Sequence, residues 1–281
     1  MKSAQFEYQQ AASTADALRF LKEAKAIGGG QSLGPMLNLR LVRPGRLVDV
    51  SAVSEARRCE RRDDGVLIGG ATTHAEIEDG ALDDLLRDSP ALAAMLRHVA
   101  GGIAYRAVRN RGTLAGSLAH ADPAADWVLA MNALDAQLEL SSPSGTRRLP
   151  MAQFMSGAFT TALHDGELLT GVLVPRMSPD MRWGYVKFCR KTGEFAEASA
   201  AAVFDPVQGS ARLVIGALDG APARLHQFAS AVAAQGSRAI TQEACLAAVT
   251  SVATGKDQIG NAQLAVAVKR CLQQVTGENG Q

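Results

Sequence analysis

The sequence lacks an excess of charge of either sign and any long apolar run. Its 281 residues carry 29 lysines and arginines against 28 aspartates and glutamates, which leaves a formal net charge of +1. A chain without a basic field attracts neither a nucleic acid nor an anionic bilayer. No stretch approaches the roughly 18 apolar residues of a membrane span, and the amino terminus shows no signal-peptide pattern. We therefore expect no nucleic-acid partner, no membrane span and a cytoplasmic location.

Cysteine is scarce and scattered. Cys59, Cys189, Cys245 and Cys271 form no Cys-x-x-Cys pair, and no histidine cluster lies near them. This spacing argues against a zinc ribbon or an iron–sulfur cluster held by this chain alone. Dispersed thiols are typical of small core residues in a reducing compartment. The sequence therefore predicts no metal site.

Glycine is abundant, with 27 residues of which several are clustered, and two glycine-containing segments stand out. The first glycine segment is GGGQS at residues 28–32, and the second is TLAGS at residues 113–117. Adjacent glycines allow amide N–H groups to converge on one anion, and the hydroxyls of Ser32, Thr113 and Ser117 add donors. Such segments suit a pyrophosphate, although glycine runs are also typical of plain turns.

The two segments match neither common nucleotide-binding motif. Gly-x-Gly-x-x-Gly before a long helix and Gly-x-x-x-x-Gly-Lys-Ser/Thr are both missing. The sequence therefore disfavours a dinucleotide-binding Rossmann domain and a phosphate-loop NTPase.

Local patterns predict a mixed order of elements in the first two thirds of the chain. Ser13 begins a helix, and a strand ending at Ile27 leads into the first glycine segment. Thr73 and Glu76 form a predicted capping box, and Asp122 is a predicted N-cap. The remaining predictions are strands at 47–50 and 66–69, a helix at 90–99, a loop at 113–121, a helix ending near 132 and a hairpin at 137–149.

The pattern changes after Pro175, so we predict a domain boundary near residue 176. Three strands at 182–190, 196–204 and 212–218 precede three helices at about 223–235, 241–253 and 262–275. Strands grouped together and then helices grouped together indicate an α+β fold class.

Several segments together resemble a known family. Residues 27–41, 108–126, 161–163, 167–169, 174–175 and 185–196 are similar to the FAD-binding medium subunit of the molybdenum hydroxylases, the carbon monoxide dehydrogenase and xanthine dehydrogenase group. The similar segments cover most of the chain in the family's order. Two positions depart from the usual motifs: Gly28 stands where alanine is common, and Ala115 stands where the second segment usually has glycine.

The resemblance implies a fold and a set of cofactor contacts. A two-subdomain FAD-binding domain of the vanillyl-alcohol-oxidase and MurB type would span residues 1–175, with subdomains at about 1–55 and 56–175. A smaller α+β domain, with a short antiparallel sheet and helices, would span 176–281. The implied cofactor-binding residues are Gly28, Gly29, Gly30, Gln31, Ser32, Leu33, Thr113, Gly116, Ser117, His120, Asp122, Leu163, Tyr185 and Lys187.

Structural roles remain open for several of these residues. By the resemblance, Asp122 lies near the ribityl or phosphate end of FAD, which is compatible with its role as an N-cap. His120 is either a cofactor contact or a hydrogen-bonded residue beside a helix start. Tyr185 and Lys187 alternate on a predicted strand and share one face. Strand pairing with solvent exposure is their structural alternative, whereas the resemblance places them and Leu163 beside the isoalloxazine ring.

Basic residues cluster near the second glycine segment. Arg106, Arg109 and Arg111 favour a solvated face, and countering phosphate charge or meeting an acidic partner is the alternative. His74 follows Thr73 in a predicted helix cap, and we predict no functional role for it.

The resemblance also implies a function. The chain would be the FAD-carrying electron-transfer subunit of a heteromeric molybdenum hydroxylase, an oxidoreductase in which no side chain of this subunit acts as acid or base. Its partners would be a small [2Fe–2S] subunit and a large molybdopterin subunit, assembled as a dimer of heterotrimers. Two alternatives remain open: a self-contained MurB-type FAD-dependent reductase, and an assembly subunit without flavin.

Overall fold

A small parallel sheet forms the amino-terminal part of the protein. The computed structural model describes residues 2–253 and 255–277. The strands are β1 (Glu7–Gln10), β2 (Lys25–Ile27) and β3 (Arg46–Asp49), and the helices are α1 (Thr14–Phe20), α2 (Leu33–Asn38) and α3 (Ser54–Arg57). The sheet order is β1-β3-β2 with both pairs parallel. The first glycine segment therefore leaves the carboxyl end of β2, beside the carboxyl end of β3.

A five-stranded antiparallel sheet follows. Its strands are β4 (Glu60–Arg62), β5 (Gly65–Gly69), β6 (Gln137–Ser142), β7 (Gly145–Pro150) and, after a short pair of β8 (Met155–Gly157) and β9 (Thr160–Thr161), β10 (Leu168–Pro175). The accompanying helices are α4 (His74–Glu78), α5 (Pro90–Gly101), α6 (Arg106–Arg109), α7 (Leu114–His120), α8 (Asp126–Ala133) and α9 (Met151–Phe154). The sheet order is β4-β5-β10-β6-β7, so the predicted hairpin is confirmed as β6 and β7.

The carboxyl-terminal part is a four-stranded antiparallel sheet covered by helices. It contains β11 (Arg182–Phe188), β12 (Ala198–Asp205), β13 (Ser210–Gly216), β14 (Ala223–Arg224), α10 (His226–Gln235), α11 (Gln242–Thr250) and α12 (Gln258–Thr276), with a 3₁₀ turn at Gly236–Ala239. The strands lie in sequence order. Strand β12 is buried along its whole length because α12 packs against it and α8 also contacts it.

Helix α8 joins the two larger sheets. All eight of its residues are buried, and Trp127 shares one core with Met95, Val172 and Val203. The α+β fold class is confirmed. The boundary near residue 176 stays a prediction, and this core contains residues from both sides of it. No helix within residues 2–253 and 255–277 has both the length and the apolar character needed to cross a membrane.

Two local predictions around the second glycine segment are wrong. Residues 113–121 are not a loop, because α7 begins after Thr113, whose side chain accepts a hydrogen bond from Gly116 N at 3.1 Å. Asp122 is not an N-cap, because α8 begins at Asp126 with Ala125 in the capping position. The Asp122 carboxylate instead accepts a hydrogen bond from Ala124 N at 2.9 Å. Aspartate often forms a turn of this kind, in which its side chain accepts from the backbone N–H two residues later. The predicted capping box of Thr73 and Glu76 is confirmed.

A partly buried ion pair holds β7 to the turn before β10. Arg147 donates from Nε and Nη2 to the two carboxylate oxygens of Glu167 at 2.7 and 2.8 Å, and His164 N donates to the same carboxylate at 2.8 Å. The bond from Arg147, helped by the His164 N–H, lowers the pKa of Glu167 from 4.5 to about 2. The pair therefore stabilises the fold above pH 4.5, and this contribution is lost as the pH falls from 4.5 towards 2.

We expect Glu167→Gln to lower the free energy of unfolding at pH 7 by about 1–2 kcal/mol, because Arg147 is 35% exposed and water screens the pair. Urea unfolding at pH 7, 4 and 2.5 should show the difference from the wild-type chain shrinking with each step. Glu194→Gln, at an exposed position, is the matched control. A difference that stays constant down to pH 2.5 contradicts the assigned pair.

Candidate cofactor-binding site

The Thr113 side chain lies where the two glycine segments meet. A Cβ atom added to Gly28 would lie 2.8 Å from Thr113 Oγ1, and a Cβ atom added to Gly116 would lie at the same distance. Thr113 is buried, and its Oγ1 accepts from Gly116 N, so its own proton is free for another acceptor. Glycine at both positions therefore makes room for this hydroxyl.

The main chains of the two segments are in direct contact at Gly29. A Cβ atom on Gly29 would lie 1.6 Å from the carbonyl oxygen of Arg111 and 2.7 Å from Gly112 N, so no side chain fits there. The next residue, Gly30, has a φ of +70°, a conformation that glycine adopts without strain. The sequence does not show that Gly29 contacts the backbone at Arg111, although a cluster of glycines is typical of places where two backbone segments approach closely.

The two segments differ in the amide N–H groups that they offer. The N–H groups of Gly30, Gln31, Ser32 and Leu33 donate to no other group among the residues that the structure describes. In the second segment four of the five N–H groups are occupied: Leu114 by Thr72 O, Ala115 by Gly70 O, Gly116 by Thr113 Oγ1 and Ser117 by Thr113 O. The Thr113 N–H donates to no residue that the structure describes. The prediction of converging free amides is therefore wrong for residues 114–117, where the segment offers hydroxyls and an exposed Gly116 instead.

A shallow face of α7 continues the site towards His120. Gly116 and Ala119 are exposed there, and His120 is half-buried with its ring centroid 5.2 Å from that of Phe159. Burial lowers the pKa of His120, the nearby Asp122 carboxylate opposes that shift, and the Lys25 ammonium adds to it. Sequence reasoning missed Phe159, which is 60% exposed with a φ of +55° and donates its N–H to Ala121 O at 2.8 Å. Phe159 lies in the turn between β8 and β9, where no sequence motif marks a residue as functional.

A buried polar cluster joins the predicted residues Tyr185 and Lys187. Tyr185 donates its hydroxyl to Asp126 Oδ1 at 2.6 Å, and Lys187 Nζ donates to Asp126 Oδ2 at 2.9 Å. Lys187 Nζ also donates to Gly102 O at 3.3 Å. Solvent exposure is therefore wrong for both side chains, while strand pairing holds, since Tyr185 pairs with Ala201 in the sheet. Leu163 is half-buried and packs against the core that contains Trp127.

Asp126 is the central residue of this cluster, although its local sequence marks it only as an acid near the start of a predicted helix. Burial raises the pKa of Asp126, and Lys187 and Tyr185 oppose that shift. Burial and the Asp126 carboxylate together raise the pKa of Tyr185 well above its ordinary value. Tyr185 therefore stays a neutral donor at every working pH. The i, i+2 spacing of Tyr185 and Lys187 was a signal for one shared acceptor, but the acceptor lies about sixty positions away in sequence.

The predicted basic patch is mostly neutralised. Arg109 donates to both oxygens of Glu78 at 2.7 and 3.1 Å, and Arg106 pairs with Glu78 and Asp79. Arg111 forms no ion pair with a residue that the structure describes, and its carbonyl oxygen is the group against Gly29. Arg111 is thus the cation of the three that remains available beside the glycine segments.

Comparison with known proteins identifies the family. The profile of the family described as "FAD binding domain in molybdopterin dehydrogenase" matches residues 4–177. The chain belongs to this family. Its resemblance to the molybdenum hydroxylase flavoprotein subunits is therefore confirmed.

Relatives with known functions cover most of the chain. The nicotine 6-hydroxylase medium subunit of Paenarthrobacter nicotinovorans is 34% identical over 82% of this chain and 80% of its own length. The carbon monoxide dehydrogenase medium chain of Hydrogenophaga pseudoflava is 34% identical over 70% of this chain and 68% of its own. A solved carbon monoxide dehydrogenase from Hydrogenophaga pseudoflava superimposes with a TM-score of 0.87 at 28% identity and 98% coverage of both chains. This member of the family is therefore an FAD-binding oxidoreductase subunit.

The residues around the two glycine segments fit FAD. The free N–H groups of Gly30 to Leu33 suit a pyrophosphate. Gly116 is exposed and has no side chain, so the pyrophosphate can approach the second segment there. The hydroxyls of Thr113 and Ser117 provide further donors. A net charge of +1 is compatible with a dianionic cofactor that is held by backbone dipoles.

Ala115 does not disturb this arrangement. Its N–H donates to Gly70 O at 2.9 Å, its side chain is buried, and its Cβ would lie 2.8 Å from a Cβ atom on Gly70. We expect Ala115→Gly to lower the free energy of unfolding by about 1 kcal/mol and to leave the Kd for FAD within about twofold. Thermal unfolding and a flavin titration check both values. FAD binding that tightens tenfold would place the methyl group against the cofactor.

Proposed function

We propose that this chain is the FAD-carrying electron-transfer subunit of a cytoplasmic molybdenum hydroxylase complex. It receives electrons from a separate [2Fe–2S] subunit and passes them to an external acceptor. The observation that carries the proposal is the contact between the two glycine segments around Thr113, in a chain of the molybdopterin dehydrogenase family. The proposed partners are a small [2Fe–2S] subunit and a large molybdopterin subunit, arranged as a dimer of heterotrimers.

The chain's own residues bind and orient the cofactor. Gly28 to Leu33 hold the pyrophosphate, to which the free N–H groups of Gly30 to Leu33 donate, with the hydroxyls of Thr113 and Ser117 on the opposite side. His120 and Asp122 lie along the same face, towards the ribityl chain. When bound, FAD supplies the exchange between one-electron and two-electron transfer.

The ring end of the proposed site is formed by Leu163, Tyr185 and Lys187. Asp126 anchors the Lys187 ammonium in a position that is only 10% exposed, where a charge acts more strongly than in bulk water. A fixed cation at this end favours a negatively charged reduced flavin over the neutral oxidised one. Lys187 therefore raises the reduction potential of the cofactor, and the Asp126 carboxylate limits that rise.

The cysteines support a separate iron–sulfur subunit. Cys245 and Cys271 are buried in the core of the carboxyl-terminal sheet and helices, and burial raises the pKa of the Cys245 thiol to about 11. Such thiols are poor metal ligands because a ligand has to be deprotonated. Residues 2–253 and 255–277 contain no group of three His, Cys, Asp or Glu placed to hold a metal ion. The relatives are named medium subunits or medium chains, which supports assembly with other chains.

The deciding experiment uses the purified full chain and its neighbouring subunits. We expect the chain to retain flavin absorbance after addition of FAD and gel filtration, and dithionite-reduced holoprotein to reduce an added oxidised [2Fe–2S] subunit. A chain without flavin absorbance supports an assembly subunit instead. Unaided turnover of a small substrate by the reduced holoprotein supports the MurB-type reductase, and bound flavin without electron exchange contradicts the partner arrangement.

A further inference from the structure

His74 is a buried polar residue that the proposed cofactor contacts do not use. It is the first residue of α4, it follows the N-cap Thr73, and it is 5% exposed. The capping box of Thr73 and Glu76 holds the backbone from which the His74 ring projects. Buried polar groups are normally hydrogen-bonded, and His74 bonds at two separate places in the proposed site, through its backbone N–H at one and through its ring at the other.

The first place is the second glycine segment. His74 N donates to Gly112 O at 2.9 Å, and Thr73 pairs with Thr113 as an isolated antiparallel bridge. The ring itself covers Gly112, since a Cβ atom there would lie 2.7 Å from His74 Nε2. The position of Thr113 therefore depends on the turn that contains His74.

The second place is the first turn of α8. Trp127 donates its indole N–H to His74 Nδ1 at 3.0 Å, and both side chains are buried. A neutral imidazole that accepts at Nδ1 has its proton on Nε2. Burial, assisted by the charge of Arg109, lowers the pKa of His74 to about 4, so the ring remains this neutral acceptor at neutral pH. Trp127 directly follows Asp126, the acceptor for Tyr185 and Lys187.

We propose that His74 is a positioning residue that sets the distance between the Thr113 end and the Asp126 end of the cofactor site. The inference rests on the proposed function, which places the pyrophosphate at Thr113 and the flavin ring beside Lys187. FAD has to engage both ends at once, so its affinity depends on their separation. A ligand that engages one end only is insensitive to that separation.

The test compares two variants with side chains of the same shape. In His74→Asn an amide oxygen takes the place of Nδ1 and accepts from Trp127, whereas His74→Leu has no acceptor. The Kd values of the full-length chain are measured for FAD, for ADP and for riboflavin. We expect His74→Leu to raise the Kd for FAD about tenfold and His74→Asn to raise it less than about threefold. The Kd values for ADP and riboflavin should stay within about twofold in both variants, because each ligand engages one end.

A second variant approaches the same bond from the other side. Trp127→Phe removes the donor and keeps an aromatic ring, and it should raise the Kd for FAD about as much as His74→Leu does. The variant that combines His74→Leu with Trp127→Phe should have a Kd for FAD no higher than the higher of the two single-variant values, because each change removes the same hydrogen bond. Thermal unfolding is recorded for every variant, and Trp127→Phe carries the comparison if His74→Leu does not fold.

Three outcomes overturn the inference. Equal weakening of FAD, ADP and riboflavin in His74→Leu shows a general structural role. Equal FAD affinity in wild type, His74→Asn and His74→Leu shows that the bond to Trp127 does not affect the site. A wild-type chain that binds no FAD overturns the proposed function together with this inference, whereas the first two outcomes leave the proposed function standing.

Discussion

Replacing Gly29 with alanine is expected to abolish tight FAD binding. The new Cβ atom would lie 1.6 Å from the Arg111 carbonyl oxygen and 2.7 Å from Gly112 N. Both neighbours are backbone atoms, so relief requires the two glycine segments to move apart by more than 1 Å. Overpacking of this kind costs about 2–3 kcal/mol, which corresponds to a Kd for FAD raised about 30- to 150-fold if the bound state bears the cost.

Gly34→Ala is the matched control for this prediction. Gly34 lies in α2, five positions after Gly29, and apart from its chain neighbours and the backbone of its own helix no atom is within 4 Å of the position that its Cβ would take. Alanine in a helix is slightly favourable compared with glycine, so the Kd for FAD should stay within about twofold. The measurements are a flavin titration and thermal unfolding of both variants. A Gly29→Ala chain with wild-type affinity and wild-type unfolding temperature would show that the two segments do not touch.

Replacing Asp126 with alanine is expected to have the largest effect on stability. The change leaves the Lys187 ammonium and the Tyr185 hydroxyl buried without their shared acceptor. Removing one partner of a buried ion pair costs about 3–5 kcal/mol, because the remaining charge keeps its desolvation penalty. The free energy of unfolding at pH 7 should therefore fall by about that amount, and FAD affinity should fall with it.

Urea unfolding of Asp126→Ala should be compared with that of Asp79→Ala. Asp79 also pairs with a cation, Arg106, but its side chain is 55% exposed, so we expect its unfolding midpoint to stay close to that of the wild-type chain. The double variant Asp126→Ala with Lys187→Met should recover part of the lost stability, because it removes the unpaired charge. Equal midpoints for Asp126→Ala and Asp79→Ala would contradict a buried cluster.

Much of the fold was predictable from local sequence. The helix at Pro90–Gly101 and the hairpin of β6 and β7 agree with their patterns of apolar residues and turn residues. The capping box of Thr73 and Glu76 agrees as well. These features depend on interactions between near neighbours in the chain, so the residues that form them are close together in sequence.

Helix α7 was not predictable because its stability comes from distant groups. It has seven residues and includes Gly116, which is a weak helix former. Its first N–H groups are satisfied by Thr72 O and Gly70 O, which belong to the segment after β5. The start of α8 was ambiguous for a related reason. Asp122 and Asp126 both suit a helix start locally, and Asp126 is buried as the acceptor for a strand of the carboxyl-terminal sheet.

From the sequence alone, the two glycine segments predicted an anion site or plain turns, and the resemblance of their contexts to the molybdenum hydroxylase flavoprotein subunits implied the family and its cofactor. A backbone that approaches a pyrophosphate requires particular residue types in a particular order, so such a site leaves a pattern in the sequence. The tertiary structure alone decided which groups of those segments are available. It placed Gly29 against Arg111, gave acceptors to the N–H groups of residues 114–117, and brought Asp126 to Lys187 and His74 to Trp127. Contacts between residues that are distant in the chain depend on how the sheets and helices pack, and no local pattern records them.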